Sequence, residues 1–108
     1  MIKVDLYRNE QGLLTSYRVS GHAGYAEEGH DIICSAVSAV TQAPIIGLER
    51  HLQLQPSCVV DQKGGILEVA LNSAPNDLTE AILATMKLGL ESLARQCPQY
   101  VRIQEHRR

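Results

Sequence analysis

Cys34 and His22 are the residues whose types and spacing most favour a chemical role. Asp31 is a suitable N-cap, so Cys34 is predicted in the first turn of a helix, where unpaired backbone N–H groups and the helix dipole favour a thiolate. His22 ends a predicted strand, and the glycine-containing segment between the two residues is long enough to bring its imidazole to the thiol. Together they would form the activated nucleophile of a cysteine hydrolase, with backbone N–H groups at the helix start available to an oxyanion.

Other interpretations of the same residues remain open. A cysteine on an apolar helix is often a small hydrophobic residue of the core. His22, His30 and Cys34 could instead bind a zinc ion, although no fourth ligand follows at a helpful spacing. A redox role for the Cys34 thiol is disfavoured, because the sequence has no Cys-x-x-Cys pair and no obvious resolving cysteine.

Two neighbours of the pair also have alternative roles. Asp31 caps the helix in the simpler interpretation and orients His22 in the other. Ser38 lies one helical turn beyond Cys34, so its hydroxyl either reaches the site or bonds to a carbonyl of its own helix.

The remaining cysteines and the glycine-rich loop complete the candidate residues. Cys58 and Cys97 are predicted to be structural, since neither lies at the start of a helix. The loop 21–30 has no hydrophobic periodicity, and Gly24 and Gly29 in it are candidate hinges for closure over an extended substrate peptide.

The hydrophobic pattern predicts two hairpins and a final strand. Residues 2–7 and 14–20 alternate between apolar and polar types and predict the first hairpin, and residues 58–60 and 66–71 predict the second. Residues 100–104 alternate once more and predict the last strand.

Two helices are predicted between these strands. The first begins after Asp31, and Pro44 either kinks it or starts a second helical piece that ends near His51. The second begins where Asp77 and Glu80 are spaced like a capping box, and it ends before Pro98. The apolar face of the second helix is predicted to consist of Leu78, Ile82, Thr85, Gly89 and Leu93.

The predicted element order is therefore ββαββαβ. It indicates an α+β fold with an antiparallel sheet of about five strands and both helices packed on one face. No repeat or linker divides the chain, so residues 1–108 are expected to form a single domain.

Composition excludes several classes of function. The formal net charge of −2 argues against a nucleic-acid-binding protein, because neutralising phosphates requires clustered Lys and Arg. Three cysteines are an odd number with no framework spacing, which suits a reducing cytosol and leaves at least one thiol outside any disulfide. The charged N-terminal residues do not fit a signal peptide, and no run of about 18 apolar residues occurs. We therefore expect a soluble, cytoplasmic protein with no membrane association.

The segment 21–38 also carries a recognisable motif. It combines Gly21-His22-Ala23, Gly29, Asp31-Ile32-Ile33-Cys34 and Val37-Ser38. This combination resembles the signature of the ribosomal-processing cysteine protease family, also called the Prp or YsxB-like family. The chain length and the predicted element order are similar to the family's as well.

The resemblance implies that His22 and Cys34 form the catalytic pair, with Gly21, Asp31 and Ser38 at supporting motif positions. Members of the family are cysteine endopeptidases that need no cofactor or metal and form homodimers. They remove an N-terminal extension from ribosomal protein twenty-seven of the large subunit, cleaving after an aromatic residue. Pro44 departs from the smooth first helix expected of relatives. A module that binds a ribosomal protein without cleaving it is the alternative function.

Overall fold

The strands and helices of the described residues follow one another in the predicted order ββαββαβ. The computed structural model describes residues 1–21 and 30–108, and of His30 and Asp31 it describes only the backbone. The α+β class and the element order are thus confirmed. The strands are β1 (Ile2–Arg8), β2 (Leu14–Ser20), β3 (Ser57–Asp61), β4 (Ile66–Ala70) and β5 (Val101–Arg107), and the helices are α1 (His30–Ile46) and α2 (Asp77–Gln96).

The sheet is mixed rather than wholly antiparallel as predicted. Its strand order is β3-β4-β2-β1-β5, with antiparallel pairs except for β1 and β5, which are parallel. The difference arises because β5 follows α2 instead of a tight turn, and a helical crossover returns the chain beside β1 in the same direction. β3 and β5 are consequently the two edge strands.

The core lies between the helices and one face of the sheet. Ile2, Val4 and Leu6 alternate along β1 and are fully buried. Val37 of α1 and Leu90 of α2 belong to the same buried cluster, so both helices cover this one face. This packing removes mainly aliphatic surface from water, which is the main stabilising term in folding.

The start of α2 differs from the predicted capping box. Asn76 is the N-cap: its Oδ1 accepts hydrogen bonds from the backbone N–H groups of Leu78 and Thr79 at 2.9 and 3.0 Å. Thr79 Oγ1 accepts the reciprocal bond from the Asn76 N–H at 2.9 Å. Asp77 and Glu80 were therefore the wrong pair, because Asn and Thr one position earlier satisfy the same unpaired N–H groups.

The buried face of α2 is also rotated from the predicted one. The side chains buried against the sheet are Thr79, Leu83, Met86 and Leu90, each one residue beyond a predicted position. Leu78, which was predicted to be buried, is 61% exposed. Both faces are apolar, so periodicity alone could not decide which of them the sheet covers.

Helix α1 begins and continues differently from the prediction. It starts at His30, so Asp31 is a helical residue and not the N-cap, a displacement typical of helix ends read from sequence. It also runs through Pro44 to Ile46, and a π-helical turn, Gly47–His51, extends it to the predicted end. No second helical piece begins at Pro44.

Among the described residues, one helical segment satisfies the length and composition of a membrane span. This segment is Ile32–His51, with a mean hydropathy of 1.5. Core helices of soluble proteins meet the same criterion. Here the segment supplies Val37, Thr41 and Leu48 to the buried interior.

Charged side chains tie the first hairpin to α2 and β5. Arg8 Nε donates to Glu105 Oε1 at 2.8 Å, and Arg8 Nη1 donates to the Gly12 carbonyl oxygen at 2.6 Å. Glu80 Oε1 accepts a hydrogen bond from the Leu14 N–H at 2.8 Å. The hydrogen bond from Arg8, and then the positive charge of Lys87, lower the pKa of Glu105.

The Glu105→Gln variant should be less stable than wild type near neutral pH. A carboxylate whose pKa is lower in the folded state stabilises it above the unfolded value of 4.5 and loses that effect as the pH falls through the folded pKa. Because Glu105 is 41% exposed, the difference should be at most about 1 kcal/mol. Urea unfolding at pH 7 and at pH 3.5 to 4.5 measures it. The control is Glu49→Gln, at an exposed position with no ion pair among the described residues. If Glu105→Gln differs from wild type by the same free energy of unfolding at both pH values, the expectation is contradicted.

Candidate active site

Cys34 lies near the N-terminal end of α1. It is the fifth residue of the helix and not in the first turn as predicted, because α1 starts at His30. Helical side chains tilt toward the helix N-terminus, so a side chain at this position lies over the preceding turn. The electropositive end of α1 is thus still close to the thiol, which is half-buried.

Cys34 lies on the wall of a cavity of about 480 Å³ between α1 and the β3–β4 side of the sheet. The floor is apolar and includes Val19 and Leu67, and Ile2 closes one part of it. The volume is in the range of small-molecule and peptide side-chain sites. A nucleophile placed beside an apolar cavity is the arrangement expected of an enzyme that attacks a bound peptide.

Ser38 lines the same cavity as Cys34, one helical turn further along α1. Its Oγ accepts a hydrogen bond from Gln42 Nε2 at 2.7 Å. Within the described part of the chain, the Ser38 hydroxyl forms no hydrogen bond to a carbonyl of its helix. Of the two roles predicted for Ser38, its location fits the one at the site.

Cys58 was predicted to be structural, but it is an exposed thiol on the opposite wall of the cavity. Strand alternation could have shown that Cys58 and Val60 share a face. Which face the helices leave uncovered depends on the tertiary packing. Cys97 is half-buried at the C-cap of α2 and does not line this cavity.

Tyr17 of β2 holds α1 against the sheet behind the cavity. Its hydroxyl donates to the Thr41 carbonyl oxygen at 2.6 Å, and the Thr41 hydroxyl donates to the Val37 carbonyl oxygen at 2.8 Å. Burial, and secondarily the neighbouring Cys58, raise the pKa of Tyr17. The phenol is therefore protonated near neutral pH and can donate this hydrogen bond.

Gly21 ends β2 in a conformation that requires glycine. Its φ is +87°, in the left-handed region, and a Cβ there would overlap the carbonyl oxygen of Met1. The close approach places the end of β2 against the backbone beside Ile2, a residue of the cavity wall. Gly21 thus fixes where the chain leaves the sheet.

Several predicted site residues lie outside the described residues. They are His22, Gly24 and Gly29, together with the side chains of His30 and Asp31. The assignment of His22 as the base, the two hinges, the orienting role of Asp31 and the zinc alternative therefore remain predictions. Among the described residues, no group of three or more His, Cys, Asp or Glu could hold a metal ion.

Comparison with known proteins agrees with a thiol protease. A family model for the cysteine protease Prp matches residues 1–102. The ribosomal processing cysteine protease Prp of Staphylococcus aureus is 30% identical over 103 residues, which cover 95% of this chain and 97% of that protein. The chain therefore belongs to the cysteine protease Prp family, and the family resemblance noted in the sequence is confirmed.

Solved structures give the same result. The essential ribosomal processing protease Prp from S. aureus, in complex with a substrate peptide, has a TM-score of 0.91 and 28% identity, over 98% of this chain and all of that one. The same protease with a covalently linked product peptide has a TM-score of 0.87 and 29% identity, with the same coverage. The SMU.848 protein of Streptococcus mutans has a TM-score of 0.90 and 28% identity, over 100% of this chain and 96% of that one.

The Gly21→Ala variant should lose more stability than Gly12→Ala. Both glycines have positive φ, which costs an L-residue about 1–2 kcal/mol. At Gly12 the nearest atom to an added Cβ is Arg107 Nη1 at 4.0 Å, whereas at Gly21 the Cβ meets the Met1 carbonyl oxygen. Urea unfolding of the two variants measures the difference. Equal losses would mean that the approach of Met1 does not constrain residue 21.

Proposed function

We propose that this chain is a cysteine endopeptidase that removes the N-terminal extension of ribosomal protein twenty-seven of the large subunit. Cys34 is the nucleophile and His22 the general base. The observation that carries the proposal is the position of Cys34, early in α1 and on the wall of an apolar cavity. The S. aureus relative supports it, since that protease is named for ribosomal processing and has been seen with a covalently linked product peptide.

The mechanism follows from these groups. His22 accepts the proton of the Cys34 thiol, and the thiolate attacks the carbonyl carbon of the scissile peptide bond. Backbone N–H groups at the start of α1 hold the oxyanion of the tetrahedral intermediate. His22 then protonates the leaving amine as the C–N bond breaks. Water activated by His22 hydrolyses the resulting thioester and restores the thiol.

The described end of β2 supports His22 as the base. His22 follows Gly21 directly in the sequence, and Gly21 lies against the backbone of Met1 beside Ile2. Ile2 and Cys34 line the same cavity. Gly21, the described residue that precedes His22 in the sequence, thus lies close to the cavity that contains the thiol.

Replacing Cys34 should abolish cleavage without unfolding the protein. We expect Cys34→Ala and Cys34→Ser to lose turnover of a ribosomal protein that carries the extension, read as the mass of the product. His22→Ala should lower the rate by about 100-fold or more, since general base catalysis contributes 10²–10⁴-fold.

Two matched variants control this experiment. Cys97→Ser removes a thiol that does not line the cavity, and His51→Ala removes an exposed imidazole at the end of the π-helical turn; both should cleave like wild type. Normal turnover by Cys34→Ala would exclude it as the nucleophile. If wild type binds the ribosomal protein and leaves its mass unchanged, the chain is a binding module instead.

The proposal includes a homodimer, whose interface we assign to the outer side of the helices. An apolar groove of about 670 Å³ separates α1 from α2 there, lined by Val40, Ala43 and Ile82 among others. Leu78 and Leu88 of α2 add apolar surface outside the groove, since they are 61% and 63% exposed. A second copy would cover this apolar surface. Single exposed apolar residues are normal on a monomer, whereas a contiguous apolar patch of this kind is typical of an interface.

The Leu88→Lys variant should dissociate the dimer. If the proposed interface covers Leu88, a lysine at this position leaves a charge without a partner when the interface is buried. Light scattering after size exclusion should give twice 11.9 kDa for wild type and about half that value for the variant. Val59→Lys, at a 54% exposed position on the sheet, should remain dimeric. A monomeric wild type would contradict the dimer, and a dimeric Leu88→Lys variant would contradict this interface.

The proposed substrate also sets the location. We place the enzyme in the cytoplasm, where ribosomal proteins are made, with no direct contact to nucleic acid and no membrane attachment. The net charge of −2 supports the absence of nucleic-acid binding.

A further inference from the structure

The edge of the sheet opposite β3 is formed by β5, and no strand among the described residues pairs with its outer side. The Arg108 N–H donates to the Arg8 carbonyl oxygen at 2.9 Å, and in a parallel pair every second residue bonds to the same neighbouring strand. Even-numbered residues of β5 therefore direct their backbone groups to β1. The backbone groups of Ile103, Glu105 and Arg107 point to the open edge, where another chain can pair with them.

A recess beside α2 lies next to this open edge. It has a volume of about 520 Å³ and separates the C-terminal half of α2 from β5. Ala94, Pro98 and Ile103 give it apolar walls, and the ion pair of Lys87 Nζ with Glu105 Oε1 at 3.4 Å also borders it. Because the side chains of a strand alternate between its two faces, a strand added beside β5 would place every second side chain in this recess.

The other face of this edge has a surplus of positive charge. Lys3 of β1 and Arg102 of β5 are both exposed and lie directly opposite each other in the register of the two strands. Like charges in this position are destabilising, and neither residue forms an ion pair with a described residue. Asp5, the one acidic residue of β1, is 4% exposed and already accepts a hydrogen bond from His106 Nε2 at 2.7 Å. An anionic partner would relieve the repulsion between Lys3 and Arg102.

Arg108, directly after β5, places a further cation on the same face. Its guanidinium carbon lies 3.9 Å from the centre of the Tyr7 ring, which in turn stacks on the His106 ring at 4.9 Å. A guanidinium that is already held by a cation–π contact loses less entropy when it binds a carboxylate. Arg102 and Arg108 are six residues apart, or about 20 Å along the strand, a distance that an extended segment of about seven residues spans.

We propose that the open edge of β5 binds an extended segment of a partner protein by strand addition, and that this segment carries acidic side chains at alternate positions. Its backbone pairs with the odd-numbered residues of β5, and its acidic side chains lie beside Arg102 and Arg108. The inference goes beyond the proposed function, because β5 lies at the opposite edge of the sheet from β3, which borders the Cys34 cavity.

Two other occupants fit this edge less well. A second copy of the chain would bring two rows of the same cations together, since each copy supplies Arg102 and Arg108. A nucleic acid would meet the cations, but it has no peptide N–H and C=O groups with which to continue the sheet. The net charge of −2 on the whole chain also disfavours a nucleic acid.

The first measurement is the binding of a designed peptide, read by fluorescence anisotropy. The labelled probe has four Glu-Val repeats, and a comparison peptide has four Glu followed by four Val. We expect the alternating peptide to bind with a Kd at least tenfold lower than that of the block peptide. Arg102→Glu should weaken binding of the alternating peptide at least tenfold. Arg50→Glu, the same change at an exposed position of the π-helical turn, should stay within twofold of wild type.

The contrary results of this measurement are equally defined. The proposal is overturned if the alternating peptide shows no saturable binding, if the two peptides bind equally, or if the two variants have the same Kd. A ten-nucleotide oligouridine that binds wild type more tightly than the alternating peptide would identify a nucleic acid as the occupant instead. A change of oligomeric state confined to Arg102→Glu, measured by light scattering, would identify a second copy.

The second measurement locates the bound peptide by amide hydrogen exchange, followed residue by residue by NMR. The N–H groups of Ile103, Glu105 and Arg107 should exchange at least tenfold more slowly when the alternating peptide is bound. The amides of β3, the other edge strand, should keep their exchange rates. Protection of β3 instead, or unchanged exchange at the three β5 residues, overturns strand addition. Neither measurement uses cleavage, so a failure here leaves the protease proposal intact, and a failure of that proposal leaves this one.

Discussion

The hydroxyl of Tyr17 is buried between the sheet and α1, where it must find a hydrogen-bond partner, and it donates to the Thr41 carbonyl oxygen at 2.6 Å. This bond fixes α1 along its axis relative to β2, at a point two helical turns from Cys34. The aliphatic contacts around it are non-directional and would tolerate small shifts of the helix. This directional hydrogen bond therefore helps to fix the position of Cys34 over the cavity.

Helix α2 explains both a wrong prediction and a proposed interface. Its Leu83, Met86 and Leu90 face the sheet, whereas Leu78 and Ile82 lie on a second apolar face directed away from the sheet core. A helix with one apolar face can be oriented from its sequence. A helix with two apolar faces cannot, because periodicity does not say which of them packs against the sheet. The second apolar face stays in contact with water unless another molecule covers it, and in the proposed dimer a second copy of the chain does so.

The sequence predicted the features that depend on residues close together in the chain. Strands with two-residue alternation and helices with apolar steps were placed within a few residues, and so was Cys34 near the start of a helix. The parallel pairing of β5 with β1 was missed because it depends on where a crossover returns the chain, which is not a local property. The place of Cys58 on the cavity wall was missed for the same reason, since it depends on a helix that leaves the edge strand uncovered.

The apolar composition of α1 follows from the three apolar regions that its faces border. Val37 faces the core, Ile45 faces the groove beside Cys34, and Val40 and Ala43 face the groove toward α2. A surface helix normally keeps one polar side for water, yet here two of the exposed sides border apolar grooves. A hydropathy that would suit a membrane span thus fits a helix whose different faces border the sheet core and two apolar grooves. The polar residues Ser38 and Gln42 of α1 lie on the same cavity wall as Cys34 and are joined by a hydrogen bond, so the polar part of the helix also borders that cavity.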